Sequence, residues 1–82
     1  MSKQVAIVTG GTRGIGLSIT HALSQAGYQV AAIYHGNEDA AKKCEAETGA
    51  RAFKLDVTDF AAVQAVCQNI EDTLGPVSIL VN

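Results

Sequence analysis

Four segments of strand length, three apolar and one alternating, are interleaved with three stretches of helical periodicity, and that order constrains what this chain can fold into more than any other feature. Val5-Ala6-Ile7-Val8 is a continuous apolar run of strand length that ends at Thr9-Gly10-Gly11; without polar alternation it reads as a strand buried on both faces. The period then changes. Ile15, Ile19, Ala22, Leu23 and Ala26 recur at helical spacing, and Gly27 stands where a helix end favours a left-handed residue. Val30 to Tyr34 reads as a second buried strand, followed by Asn37 as an N-cap with Glu38 and Asp39 in the first turn of a helix running to Gly49. From Arg51 to Val57 the residues alternate, with Arg51, Phe53, Leu55 and Val57 on one side and Ala52, Lys54 and Asp56 on the other. That pattern suits an edge strand with its charged side in solvent. Thr58 is expected to cap a third helix with the stripe Val63, Val66, Cys67, Ile70 and Leu74, stopped by Gly75-Pro76, and Val77 to Val81 is the fourth strand.

Strand-helix alternation requires right-handed crossovers, hence parallel strands, most economically in the order 3-2-1-4. The expected fold is α/β, a Rossmann-type doubly wound parallel sheet. In that order the first two helices share one face and the third covers the other alone. The outer edge of the fourth strand is left unpaired, an arrangement expected of one half of a larger domain that continues past Asn82. Residues 1–82 are therefore expected to be a half-domain. A chain of 82 residues with 48% apolar and 17% charged content is globular. At this size it buries only roughly 60–65% of the surface its unfolded form exposes, so a missing layer would matter.

A net charge of −2, with six scattered Lys and Arg, argues against nucleic acid, which needs clustered cations. No apolar run reaches the roughly 18–20 residues that cross a bilayer, so no membrane partner is expected. Cys44 and Cys67 are too few and too distant for a zinc site, and no signal peptide precedes the first strand. They are expected to be small buried thiols in a reducing cytoplasm. There is no internal repeat or low-complexity tract.

Between the first strand and the first helix lies Thr9-Gly10-Gly11-Thr12-Arg13-Gly14-Ile15-Gly16. Its position carries the functional information. At the C-terminal end of a parallel strand, the unpaired N–H groups of a helix start and the helix dipole favour an anion, and glycines let a pyrophosphate approach the backbone. A P-loop would need Lys where Leu17 stands in the run from Gly11 to Ser18, so nucleotide hydrolysis fails on the letters. The dinucleotide string G-x-G-x-x-G also fails, because Gly14-Ile15-Gly16 leads to Ile19. The spacing here is T-G-x-x-x-G-x-G.

That spacing, with Asp56-Val57 after the third strand and Ile79-Leu80-Val81-Asn82 at the end, resembles the short-chain dehydrogenase/reductase family over the whole chain. Within it, Tyr34-His35-Gly36-Asn37 and Gly75-Pro76-Val77 are similar to acetoacetyl-CoA reductases and 3-oxoacyl-[acyl-carrier-protein] reductases. The resemblance implies that Gly10, Gly14 and Gly16 admit a pyrophosphate that Thr12, Arg13 and Ile15 help to line. It implies that Asp56 and Val57 flank an adenine and that Asn82 lies beside the adenosine ribose. Asp56 has an equal claim as a strand-end carboxylate that caps backbone amides. The resemblance further implies a homo-oligomer, a homotetramer, when intact, and a small acyl-thioester substrate.

An NAD site of this fold places a carboxylate about 20 residues beyond the glycines, at the end of the second strand. Tyr34, His35 and Gly36 stand there instead. A 2′-phosphate meets no repulsion from them, and Arg13 offers a planar bidentate donor, so NADP(H) is the favoured cofactor. Arg13 as a solvated loop charge and His35 as a polar turn residue are the competing readings.

In the resembled family a Ser and a Tyr-x-x-x-Lys pair protonate the substrate carbonyl as hydride arrives. Tyr28 is followed four residues later by Ala32 and Tyr34 by Glu38, so neither phenol has the cation that would tune it. His21 points away from the apolar stripe. No catalytic residue and no metal ligand is assigned, and these residues alone should be inactive. The expected function is the NADPH-binding part of a reductase of 3-oxoacyl thioesters; the alternatives are a non-catalytic nucleotide-binding fragment or module built on the same segment, or a short-chain dehydrogenase of another substrate class. A methyltransferase of related fold would want an acidic residue near the end of the second strand, and none is present.

Overall fold

The computed structural model describes residues 4–82, which form β1 (Val5–Thr9), α1 (Gly14–Gln25), β2 (Gln29–Tyr34), α2 (Glu38–Thr48), β3 (Arg51–Lys54), α3 (Phe60–Leu74) and β4 (Val77–Val81). The strands make one parallel sheet in the order β3-β2-β1-β4. β1 sits inside with β2 and β4 on either side, which is why its first four residues are all buried. The alternation in the sequence therefore resolves into the expected doubly wound arrangement, with its reversal of direction between β1 and β4.

Two apolar layers flank the sheet. On one face Val5, Ile7, Ala31, Ile33 and Leu55 surround Ile70 of α3, with Phe53, Val63, Val66, Leu74 and Val77 packed around them. Ile70 is wholly buried, and burial of such a side chain stabilises by about 1.5–3 kcal/mol. On the other face Val8, Val30 and Ala50 meet Ile19 and Leu23 of α1, together with Tyr28 and Val81. The α3 face is the less covered one: Leu80, level with Ile7 in the register, is 65% exposed, and Phe60 is 75% exposed.

The helix boundaries follow from capping chemistry. Asn37 accepts a hydrogen bond from Ala40 N at 2.9 Å, and Gly49 closes α2 at φ 79°, as the residue types foretell. The start of α3 differs from expectation by one residue. Asp59, not Thr58, is its N-cap, accepting from Ala62 N at 3.1 Å. The Thr58 hydroxyl is turned back to Asp56 Oδ1 at 2.6 Å, inside a turn closed by Asp59 N to Asp56 O at 3.0 Å. The same turn ends β3 at Lys54, so the alternation expected to Val57 stops early; Leu55 is still buried, whereas Val57 is 61% exposed. Cys67 corrects the expected pair of buried thiols: it lies on the exposed side of α3, while Cys44 is buried. On α1 the inward residues are Ile19, Thr20 and Leu23, with Ile15, Ala22 and Ala26 exposed. The apolar letters overstated the stripe because the helix begins at Gly14 in an open loop and its inward face is narrow.

β3 is the free edge beyond β2, and its outward Ala52 N–H is not left bare. Glu45 of α2 reaches over to accept it at 2.9 Å, a side chain closing an edge that would otherwise invite another strand.

Candidate functional site

The C-terminal ends of β1, β2 and β3 converge on one side of the sheet. There Thr9, Gly10, Ile33, Tyr34, His35, Leu55, Asp56, Val57 and Thr58 line a cleft of about 370 Å³. The glycine loop forms its rim. A crevice outside the carboxyl ends of parallel strands, beside the point where strand order reverses, is where doubly wound sheets bind ligands.

The loop is built to present amides. Gly10 N and Gly11 N donate to Ile33 O of β2 at 2.9 and 3.3 Å, which ties the loop to the sheet. Leu17 N is the first α1 amide with an intrahelical acceptor, Arg13 O at 3.1 Å, so the N–H groups of Gly14, Ile15 and Gly16 open the helix without one. α2 and α3 are capped by Asn37 and Asp59; the Arg13 side chain makes no cap bond, and no carboxylate occupies the first turn of α1. The free N–H groups and the positive end of the helix dipole suit an anion. This donor set fits the diphosphate of a dinucleotide.

The glycines divide into two kinds. Gly10 and Gly14 lie at φ 66° and 56°, a region that favours glycine, and a side chain on either would project into open space. Gly16 and Gly11 are required from within. A Cβ on Gly16 would collide with the Gly10 carbonyl, and one on Gly11 would come within 2.8 Å of Thr20 Oγ1 and 2.9 Å of Val8 O. Thr12 is buried under the loop, and Ile15 is 82% exposed above it.

Arg13 faces an open hollow of about 570 Å³ shared with Gly36, Asn37, Glu38 and Asp39. The hollow therefore holds two carboxylates that the β2 terminus itself lacks. Glu38 is paired with Lys54 Nζ at 3.4 Å, both side chains more than half exposed. Tyr34 is half-buried and His35 exposed at the end of β2. Asp56 accepts from both the hydroxyl and the amide of Thr58, at 2.6 and 2.9 Å. These bonds, the hydroxyl's first, hold its carboxyl below the usual carboxylate range, and the charge of His35 acts in the same direction. The capping reading of Asp56 is thus realised in the structure, and it leaves the side chain at the cleft wall. Asn82, beyond β4, lies against Thr9 across the reversal point, with Thr9 Oγ1 at 3.1 Å from Asn82 Oδ1.

The structure gathers Gly10, Tyr34, His35, Asp56 and Val57 around the cleft and sets Arg13 at the neighbouring hollow. Sequence reasoning missed Gly11, Thr20 and the acidic lining of the hollow. A hydroxyl four residues after Gly16, on the inward side of a helix, was the available signal for Thr20, since a buried polar group needs a partner. The Glu38–Lys54 pair joins separate elements and has no local signal. Among the described residues, no group of His, Cys, Asp and Glu could hold a metal ion, and no helix is long and apolar enough to cross a membrane.

Comparison with known proteins bears on the same features. Residues 4–82 match the model of the short chain dehydrogenase family. The chain is 51% identical over 79 residues to the acetoacetyl-CoA reductase of Paracoccus denitrificans, covering 96% of this chain and 33% of that protein. To the acetoacetyl-CoA reductase of Shinella zoogloeoides it is 52% identical over 80 residues, covering 98% and 33%. A 3-oxoacyl-[acyl-carrier-protein] reductase of Mus musculus is 41% identical over 81 residues, covering 96% and 34%. The chain thus spans about a third of the length of these relatives. Among solved structures, a short-chain dehydrogenase/reductase of Sinorhizobium meliloti superposes with a TM-score of 0.90 at 36% identity, over 100% of this chain and 40% of that one.

Proposed function

This chain belongs to the short chain dehydrogenase family, and from that premise we propose that it is the cofactor-binding part of an NADPH-dependent reductase of 3-oxoacyl thioesters. The observation that carries the reading is identity of 51–52% to two acetoacetyl-CoA reductases across nearly the whole chain, joined to an uncapped helix behind a glycine loop.

When bound, the nicotinamide cofactor supplies a hydride. The work of this chain's residues is to bind and orient. The N–H groups of Gly14, Ile15 and Gly16 take the diphosphate, with Gly10 leaving room for it and Thr12 supporting the loop. Asp56 and Val57 wall the adenine cleft with Tyr34 and His35, and Asn82 stands by the adenosine ribose. Arg13 holds the 2′-phosphate in the hollow above Gly36 and Asn37. Lys54 offsets Glu38 there, and Asp39 is the second carboxylate that lines that subsite. No residue of this chain is assigned to proton transfer. The whole protein acts in the cytoplasm as a homo-oligomer, a tetramer in this proposal, on a small acyl thioester.

The test is NADPH oxidation by the full-length protein with acetoacetyl-CoA. Turnover that requires the thioester and favours NADPH supports the reading. Nucleotide binding without turnover on 3-oxoacyl thioesters would instead indicate a different substrate class or a binding module.

A further inference from the structure

The Gly11 carbonyl points into the protein, where side chains from two helices converge on it. Thr20 of α1, fully buried, donates its hydroxyl to Gly11 O at 2.9 Å. Cys44 of α2, also buried, approaches the same oxygen with its Sγ at 3.7 Å. Burial pushes the Cys44 thiol up, so it keeps the proton that lets it donate. Next to this carbonyl the loop is held by backbone: Gly10 N and Gly11 N donate to Ile33 O, and Gly16 packs on the Gly10 carbonyl.

Because a trans peptide is planar, the Gly11 C=O and the Thr12 N–H point in opposite directions. Fixing the carbonyl inward therefore aims the Thr12 N–H away from the α1–α2 interior, toward the side where the cofactor's diphosphate is proposed to lie. We infer that Thr20 is a positioning residue for cofactor binding, and that its hydroxyl, seconded by the Cys44 thiol, holds the Gly11–Thr12 peptide in the orientation that presents the Thr12 amide to the diphosphate. Without the donor the carbonyl is free to turn outward, where its partial negative charge would repel the same anion. The inference rests on the proposed nucleotide site and adds to it residues that touch no cofactor atom.

Two substitutions separate hydroxyl from packing: Thr20→Val keeps the branch and loses the donor, and Thr20→Ser keeps the donor and loses the methyl. Leu23→Ala, on the same helix but packed against the sheet, controls for general loss of stability. In the full-length protein, NADPH affinity is read by fluorescence titration, and protection of the loop amides by hydrogen exchange without nucleotide. Thr20→Val should weaken NADPH binding by about fivefold to tenfold, the effect of one lost hydrogen bond, and should raise exchange in the loop. Thr20→Ser should stay within about twofold of wild type on the same reasoning, and Leu23→Ala should lower the melting temperature while leaving affinity in place. Should the valine variant fail to fold, Thr20→Ala compared with Thr20→Ser gives the same contrast. Equal affinity with and without the hydroxyl, or equal weakening by Leu23→Ala, overturns the inference. If the wild type binds neither NADPH nor NADH, the proposed nucleotide site itself falls.

Discussion

The Thr9 hydroxyl lies 3.1 Å from Asn82 Oδ1 and 3.3 Å from Val81 O, joining the last residue of β1 to the end of β4 across 73 positions of sequence. This is where the strand order of the parallel sheet reverses, and the link holds the two strand ends at a fixed spacing beside the cleft. Thr9→Val should lower unfolding free energy by about 0.5–1.5 kcal/mol, with Thr9→Ser close to wild type. Chemical denaturation of the full-length protein measures this; equal loss in both variants would mean that the methyl, not the hydroxyl, matters.

The glycine loop yields a contrast between two positions. Gly14→Val places a branched side chain at φ 56° in open space at the first residue of α1, so nucleotide binding should be lost while the helical signal in circular dichroism persists. Gly16→Ala drives a methyl into the Gly10 carbonyl, so it should reduce both binding and stability. Normal affinity in Gly14→Val would show that the loop is only a turn.

Arg13 should carry much of the preference for NADPH. A charge-assisted contact to a 2′-phosphate is worth on the order of 1.5–3 kcal/mol, so Arg13→Ala should narrow the NADPH-to-NADH ratio by roughly tenfold or more. Asp39→Asn removes a carboxylate from the same hollow and should widen the ratio. Dissociation constants for both cofactors in each variant decide the matter, and a ratio unmoved by Arg13→Ala would transfer the preference elsewhere.

Asp56 makes a pH prediction with a definite sign. Its folded carboxyl is held below the ordinary value, first by the Thr58 hydroxyl and then by the Thr58 amide. The stability it contributes is therefore complete above the ordinary Asp pKa of about 3.9 and is lost as pH falls through the lower folded value. Thr58→Ala should move the Asp56 titration upward in an NMR pH series. An unmoved titration would assign the depression to the Thr58 amide, which the alanine variant keeps.

Most of the fold was legible because its signals are local. Apolar runs marked β1, β2 and β4, alternating residues marked β3, Asn37 and Gly49 marked the ends of α2, and the strict succession of strands and helices left little freedom in strand order. The glycine loop was legible for the same reason, as a strand, a turn and a helix in sequence. What could not be read depends on contacts between distant elements. The Thr58 hydroxyl chose Asp56 over the helix start, Cys67 turned outward on α3, and Glu38 and Asp39 met Arg13 across the α2 start. Thr20 fell between these cases: its inward position followed from helical spacing, but its acceptor, Gly11 O, is set by the loop's path.

The most direct test of the central claim is a pair of fluorescence titrations of the full-length protein, one with NADPH and one with NADH, repeated on Gly14→Val. Saturable binding of both, with NADPH tighter by about tenfold or more and neither bound by the variant, is the expected result. Absence of binding by the wild type, or tighter binding of NADH, would contradict the account.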